Sequence, residues 1–135
     1  MLTNEETINQ DKINRMKKRV ALASGKYPVS LVLKNCKIIN VFNGKIIQSD
    51  LAIDHGKIIG IGNYEGVNIV DLKGKFVAPG LIDAHMHMES TLVTPDQMAR
   101  IIVPRGTTTV IADPHEIANV SGIPGIEYMI AATSK

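Results

Sequence analysis

The sequence predicts an α/β fold: an N-terminal helix, a small antiparallel β-sheet domain, and the start of a (β/α)8 TIM-type barrel that this chain leaves truncated. Three patterns support this prediction. Apolar residues first recur at helical spacing, short β-type runs separated by turn signals follow, and strand and helix signals alternate after Pro79. We place the boundaries at 1–28 for the helix and linker, 29–78 for the N-terminal part of the β domain, and 79–135 for the first two β/α units.

The first part contains one predicted helix, over residues 3–24. Residues 3–6 have capping-box spacing, and Gly25 supplies a stop signal. Four apolar residues recur at spacings of three and four: Ile13, Met16, Val20 and Ala23. Five basic residues share this helix: Lys12, Arg15, Lys17, Lys18 and Arg19. They allow a phosphate- or RNA-binding role, but a solvated helix face is the simpler interpretation.

The second part is predicted to consist of short strands. A β-type run over 31–42 ends at Asn43 and Gly44, a pair that predicts a two-residue hairpin turn into 45–47. His55-Gly56 and Lys73-Gly74 repeat this turn chemistry, so we predict a small antiparallel sheet. On this interpretation His55 is a turn residue and not a metal ligand.

The third part alternates strands and helices. Residues 81–87 predict a strand with a buried apolar start, and the β-branched run 107–113 predicts a buried parallel strand. A helix opens between them, with Thr94 as N-cap, Pro95 at its first position and Gln97 completing a capping box. Its predicted buried face is Met98, Ile101 and Ile102, and its stop signals are Pro104 and Gly106.

A second helix is predicted over 124–133, with Ile126, Met129 and Ile130 on one side. Two β/α units cannot close a barrel, which needs roughly 250 residues. We therefore expect the chain to be the N-terminal fragment of a longer protein.

Composition and charge exclude several classes of function. The 135 residues carry a net charge of +2, too small to indicate a nucleic-acid or membrane-surface partner. No apolar stretch approaches the ~20 residues of a membrane-spanning helix, and the polar N-terminus lacks a signal-peptide core. The single cysteine, Cys36, excludes a disulfide framework and is predicted to be a buried, inert thiol. We expect a cytoplasmic protein.

The candidate chemistry begins at the end of the first barrel-type strand. His85 and His87 are two residues apart, so on a strand both side chains point to one face while Met86 points to the other. Two neutral imidazoles that converge in this way are half of a metal site. Glu89 adds a carboxylate just after the pair.

The second strand also ends in ionisable residues, namely Asp113, His115 and Glu116. The active site of a (β/α)8 barrel lies at the C-terminal ends of its strands, so the two groups would meet there. Such a cluster suits a divalent metal that lowers the pKa of bound water to about 7. The alternative is that Asp113 and Glu116 cap the turn and His115 is solvated.

One competing metal-binding motif is present only in its first half. His87 and Glu89 match the H-x-E of zinc deaminases that act on nucleobases, but those enzymes need a later P-C-x-x-C. The single cysteine of this chain lies upstream, at position 36.

These motifs resemble those of the metal-dependent amidohydrolase superfamily. The segment 78–83 (APGLID) leads into the His-x-His pair as it does in that superfamily. Within the superfamily, segments 85–90 (HMHMES), 94–95 (TP) and 106–119 (GTTTVIADPHEIAN) resemble the bacterial adenine deaminase family. The resemblance runs from about Lys18 to the end of the chain, and 107–119 is its most specific part.

The resemblance implies hydrolytic deamination of adenine to hypoxanthine and ammonia by a metal-activated water. It makes His85 and His87 metal ligands. From their placement, His115 and Glu116 are interpreted as catalytic, and Glu89 and Asp113 as substrate-binding. The implied cofactor is a divalent metal centre, dinuclear and of Mn or Fe type, with further ligands on later strands. The resemblance also implies a homo-oligomeric full-length protein and an inactive isolated fragment.

Two alternatives stay open. The chain could come from another amidohydrolase, such as a different deaminase, a dihydroorotase-like enzyme or a deacetylase. It could instead be a short, non-catalytic association module that uses its exposed sheet. An open reading frame that continues past residue 135, with more His and Asp at strand ends, would favour an enzyme.

Overall fold

The computed structural model describes residues 4–133, with side chains described from residue 8 onward. The chain divides into two compact units, Met1–Ala78 and Pro79–Lys135. The capping box predicted over 3–6 lies outside the residues whose side chains are described. No helix in the described part of the chain is long and apolar enough to cross a bilayer.

The described residues of the first unit, 4–78, form one helix and a five-stranded sheet. Helix α1 (Asn4–Ala23) ends before Gly25, whose φ of 72° is the left-handed conformation expected after a helix. The strands are β1 (Val29–Asn40), β2 (Lys45–Asp54), β3 (Lys57–Ile61), β4 (Gly66–Asp71) and β5 (Phe76–Val77). Their order is β3-β2-β1-β4, and β5 also pairs with β1.

The sheet is mixed, so the prediction of an antiparallel sheet is wrong for its last two strands. β1 and β2 pair antiparallel, as do β2 and β3, but β4 and β5 both run parallel to β1. β4 adds to the free edge of β1 instead of continuing the meander beyond β3. The Lys73-Gly74 turn therefore does not reverse the chain, because β5 continues along the same edge of β1 that β4 occupies.

The two predicted hairpin turns differ in outcome. His55 and Gly56, with φ of 45° and 69°, form a two-residue turn between the paired residues Asp54 and Lys57. This is the backbone of a type I′ turn. The β1–β2 loop instead spans four residues, 41–44, because Asn40 pairs with Lys45.

The predicted two-residue turn at Asn43 and Gly44 is therefore wrong, for a local reason. Only Gly44 in this loop has positive φ, at 67°, whereas a type I′ turn needs it at both central positions. The two asparagine side chains stabilise the longer loop. The Oδ1 atoms of Asn40 and Asn43 accept the N–H groups of Phe42 and Lys45, each at 3.0 Å.

Two buried clusters hold the first unit together. Leu22 of α1 packs with Val29, Val32 and Ala52 of the sheet. A second cluster is built on Cys36, Ile38 and Leu51. The Cys36 side chain is buried, as predicted, and burial together with the nearby Asp50 carboxylate raises the pKa of its thiol.

The described residues of the second unit, 79–133, form two parallel strands and three α-helices. The strands are β6 (Leu81–Met86) and β7 (Thr107–Ala112), which pair with each other. The helices are α2 (Pro95–Ile102), α3 (His115–Ser121) and α4 (Ile123–Ala132). Short 3₁₀ turns occupy Glu89–Thr91 and Val103–Arg105. The core is a methionine cluster of Met88, Met98 and Met129.

The strands of this unit are more exposed than predicted. Leu81 and Ile82 are 63% and 66% exposed, and Ile111 is 57% exposed. The reason is that β6 and β7 find no strand partner besides each other among the described residues. Two predicted buried helix residues, Ile101 and Ile130, are also exposed.

The sequence signals of α2 predict its position correctly, but the capping contacts that they predict do not form. Thr94 is the N-cap residue of α2, but its hydroxyl bonds to the Asp96 carboxylate and caps no backbone N–H. Gln97 also donates to Asp96, at 2.8 Å, so the predicted capping box is absent. Helix α3 was not predicted at all, because its seven residues carry no apolar period longer than one turn.

We expect the 135-residue chain to self-associate through the open edges of β6 and β7. An unpaired strand edge exposes backbone donors and acceptors that pair readily with another chain. Ile111→Lys on β7 should shift the chain toward monomer in sedimentation velocity, since a lysine on an edge strand opposes pairing. Val120→Lys on α3, which makes the same change at an exposed helix position, should have little effect. A wild-type chain that sediments as a monomer and melts cooperatively would contradict this prediction.

Candidate metal centre

The His-x-His pair lies at the C-terminal end of β6. His85 is within the strand and His87 follows it directly. Their rings meet edge to face, with centroids 4.9 Å apart. Met86, between them, packs against the methionine cluster. The alternation of the strand thus places both imidazoles together and away from the core.

Asp113 lies beside the two imidazoles because β6 and β7 are parallel and in register at their ends. Met86 pairs with Ala112, and the Asp113 N–H donates to the Met86 carbonyl at 3.0 Å. One ligand atom from each of His85, His87 and Asp113 lies within 4.8 Å of the others. The sequence placed Asp113 among substrate-binding residues; the structure places it with the candidate ligands.

The hydrogen bond that His87 makes leaves its other ring nitrogen available to ligate a metal. Nδ1 of His87 lies 3.0 Å from the Asp113 carbonyl oxygen. A carbonyl only accepts, so Nδ1 is the donor and Nε2 of the neutral ring keeps its lone pair. A hydrogen bond of this kind from the other ring nitrogen orients histidines that ligate metals.

His115 is the third imidazole of the cluster. Its Nδ1 lies 3.1 Å from the Asp113 carboxylate, and its ring meets the His87 ring edge to face at 4.7 Å. Both the His115 and Asp113 side chains are about half exposed, at 53% and 56%. The contact therefore helps to fix both side chains, and both remain partly exposed to solvent.

The carboxylate of Glu89 connects the first strand end to α3. Its Oε1 accepts the N–H of Ile117, in the first turn of α3, at 3.1 Å. Its Oε2 is buried and has no hydrogen-bond partner among the described residues. Burial alone would raise the pKa of Glu89, but two backbone N–H groups and the nearby His87 and His115 outweigh it and lower that pKa. Glu89 is thus an ionised carboxylate with one oxygen unused.

Glu116 accepts a hydrogen bond from Ser90, which lies in the 3₁₀ turn Glu89–Thr91. The hydroxyl of Ser90 lies 2.9 and 3.0 Å from its two carboxylate oxygens. Ser90 was not singled out in the sequence, although it follows Glu89 directly. Asp83 was missed as well: its Oδ1 accepts the His85 N–H at 3.1 Å and so braces the strand two residues before the first imidazole.

The donor set fits one divalent metal ion. Two imidazole nitrogens and one carboxylate oxygen are the three protein ligands usual in an open catalytic zinc site, and they also suit manganese and iron. Ligands of such ions lie at about 2.1 Å from the metal. The three atoms lie within 4.8 Å of one another, so they would move somewhat closer together to bind one ion at that distance.

Curated proteins similar to this chain are adenine deaminases. The protein of Kosmotoga olearia is 55% identical over 115 residues, which cover 84% of this chain and 20% of that protein. That of Clostridium acetobutylicum is 54% identical over 118 residues, covering 87% and 21%. Adenine deaminase 2 of Desulfotalea psychrophila is 49% identical over 120 residues, covering 89% and 21%. The chain thus spans about a fifth of the length of these relatives.

Two solved structures share the fold. N-acyl-D-glutamate deacylase of Bordetella bronchiseptica, complexed with zinc and a phosphonate inhibitor, matches with a TM-score of 0.54 and 30% identity over 64% of this chain and 19% of that one. L-hydantoinase of Arthrobacter aurescens matches with a TM-score of 0.50 and 26% identity, covering 64% and 21%. The expectation of an α/β amidohydrolase-type domain is confirmed. The model of the amidohydrolase family matches residues 76–135, a little less than half of this chain.

Proposed function

We propose that the chain is part of an enzyme that hydrolyses adenine to hypoxanthine and ammonia. The observation that supports this most is the cluster of His85, His87 and Asp113 in a chain about half identical to adenine deaminases. On this proposal, residues 79–135 form the first two β/α units of a (β/α)8 barrel, and the strand ends of β6 and β7 line its active site.

The same cluster would hold the metal. His85, His87 and Asp113 would ligate a divalent ion, in a centre that we propose to be dinuclear and of Mn or Fe type. Such an ion lowers the pKa of bound water to about 7 and so supplies a nucleophile at neutral pH. For Asp113 this replaces the substrate-binding role inferred from the sequence, because its carboxylate lies among the imidazoles.

Proton transfer is assigned to the residues at the start of α3. Hydrolytic deamination removes a proton from water and delivers one to the departing amine. His115 is oriented by the Asp113 carboxylate, and Glu116 is held by the Ser90 hydroxyl. Both side chains are exposed at the same strand ends as the candidate ligands. Glu89, with one unused oxygen, is the remaining candidate for binding the substrate.

A segment exchange tests the proposed function. The chain would replace its matching segment in the adenine deaminase of Clostridium acetobutylicum, which is 54% identical over 118 residues. We expect this chimera to release ammonia from adenine, since the exchanged segment would supply the ligands and proton carriers. The isolated 135-residue chain should bind divalent metal weakly and release no ammonia, because it spans a fifth of its relatives.

The control is the same chimera assayed with other amidohydrolase substrates, such as a hydantoin and an N-acyl amino acid. Activity restricted to adenine would support the assignment. A folded, metal-loaded chimera that is inactive on adenine would contradict it. Ammonia release by the isolated chain would contradict the expectation that the chain needs the rest of the protein.

A cytoplasmic location and a homo-oligomeric full-length protein are part of the proposal. The buried free thiol of Cys36 supports a reducing compartment. The exposed strand edges of the second unit support association with further protein, either from the same or from another chain.

A further inference from the structure

A second cluster of ionisable side chains lies within the first unit, where α1 faces the β2–β3 turn. A cavity of about 280 Å³ opens between them. Six ionisable side chains line it: Arg15, Lys18, Arg19, Asp54, His55 and Lys57. None of these residues has a role in the proposed deamination.

The cavity carries excess positive charge. Four permanent cations line it against a single carboxylate, that of Asp54. This carboxylate already accepts the Ser30 N–H at 3.1 Å and lies 3.7 Å from His55 Nε2. Within residues 8–133, none of the four cations has a carboxylate within 4.0 Å, although Asp11 lies one helical turn before Arg15.

Three of the cations lie on α1 and the fourth, Lys57, lies on β3. Leu22, 3% exposed, anchors α1 in the first buried cluster, and Ile59 of β3 packs against that cluster. His55 is set by the type I′ turn, and its Nε2 lies 3.4 Å from the Lys18 ammonium nitrogen. An ammonium group only donates, so the Lys18 Nζ is the donor in this contact. The side chains of Lys18 and of both arginines are exposed and line the cavity.

We propose that this basic cavity binds a small phosphate-bearing anion, either inorganic phosphate or the phosphate group of a nucleotide. Arginine side chains match phosphate oxygens with paired N–H donors, and lysine adds a point charge. A water molecule takes up roughly 30 Å³, so the cavity has room for an anion of several heavy atoms. Adenine carries no phosphate, and this site is therefore additional to the proposed substrate site.

Calorimetric titration of the full chain with sodium phosphate at constant chloride tests the proposal. We expect saturable binding of one phosphate per chain. Arg15→Gln with Lys18→Gln should weaken binding by about tenfold or more, because two charge-assisted contacts are lost. The matched control is Lys12→Gln with Lys17→Gln, which removes the same charge from the same helix outside the cavity. It should change the affinity less than about threefold.

Equal weakening by both pairs of substitutions would overturn the proposal, since binding would then follow overall charge. Absence of saturable binding to the wild-type chain would also overturn it. If circular dichroism shows that the Arg15 and Lys18 variant is unfolded, Lys57→Gln on β3 replaces it, with the same expected weakening. Adenosine monophosphate binding tighter than phosphate identifies a nucleotide as the source, and equal affinities identify the phosphate group alone. Failure here leaves the chimera experiment unaffected.

Discussion

His85→Ala or His87→Ala in the chimera should abolish adenine deamination and remove most of the bound metal. Each substitution deletes one of three donors, and the two that remain cannot fix the coordination geometry of an open site. Loss of groups that merely orient ligands already lowers metal affinity or activity about 10- to 100-fold, so loss of a ligand should exceed this. Metal content per subunit and kcat/KM for adenine, measured on the same preparations, check the prediction.

His55→Ala is the matched control, because His55 is an exposed histidine in the β2–β3 turn with no part in the candidate centre. It should leave both metal content and turnover near wild type. Normal turnover with full metal in the His85 or His87 variant would show that the pair is structural. A variant with full metal and lost turnover would instead indicate that the imidazole acts on the substrate.

Local signals were sufficient to predict several elements of the fold. The Thr94-Pro95 start and Gly106 stop bracket α2, and the β-branched run before Asp113 forms β7. His55-Gly56 forms the tight turn that its residue types indicate, since both positions adopt positive φ. Each of these depends on the conformational preferences of a few neighbouring residues, and such preferences can be inferred from the sequence alone.

Features that depend on distant partners could not be predicted in this way. Turn chemistry at Lys73 and Gly74 does not determine which strand edge the next segment joins, and β5 joins β1 in parallel. The same limitation affects the candidate site. His85 and His87 could be paired from their spacing, whereas the place of Asp113 follows from the register of β6 against β7. Ser90 and Glu116 are 26 residues apart, and only the folded chain brings them together.

His115 and Glu116 are expected to affect catalysis much more than stability. In the chimera, His115→Asn or Glu116→Gln should lower kcat/KM for adenine by about 100-fold or more, as general acid–base groups typically contribute 10²- to 10⁴-fold. Both side chains are exposed, and each has one polar partner: Asp113 for His115 and Ser90 for Glu116. Their substitution should therefore change the melting temperature little, since surface changes usually stay within about 0.5 kcal/mol.

The competing interpretation makes the opposite prediction for the same two variants. If His115 and Glu116 serve only the first turn of α3, replacing either should cost about 1 kcal/mol of stability and leave turnover nearly intact. Glu127→Gln on α4, another exposed glutamate, controls for the loss of one surface charge and should change neither quantity. Melting temperature and kcat/KM measured together separate the two cases, because a group that moves protons affects the reaction barrier while a cap affects the folded state. Variants that lose stability yet turn over adenine normally would assign this pair to the scaffold and move the proton carrier to Glu89 or to residues outside this chain.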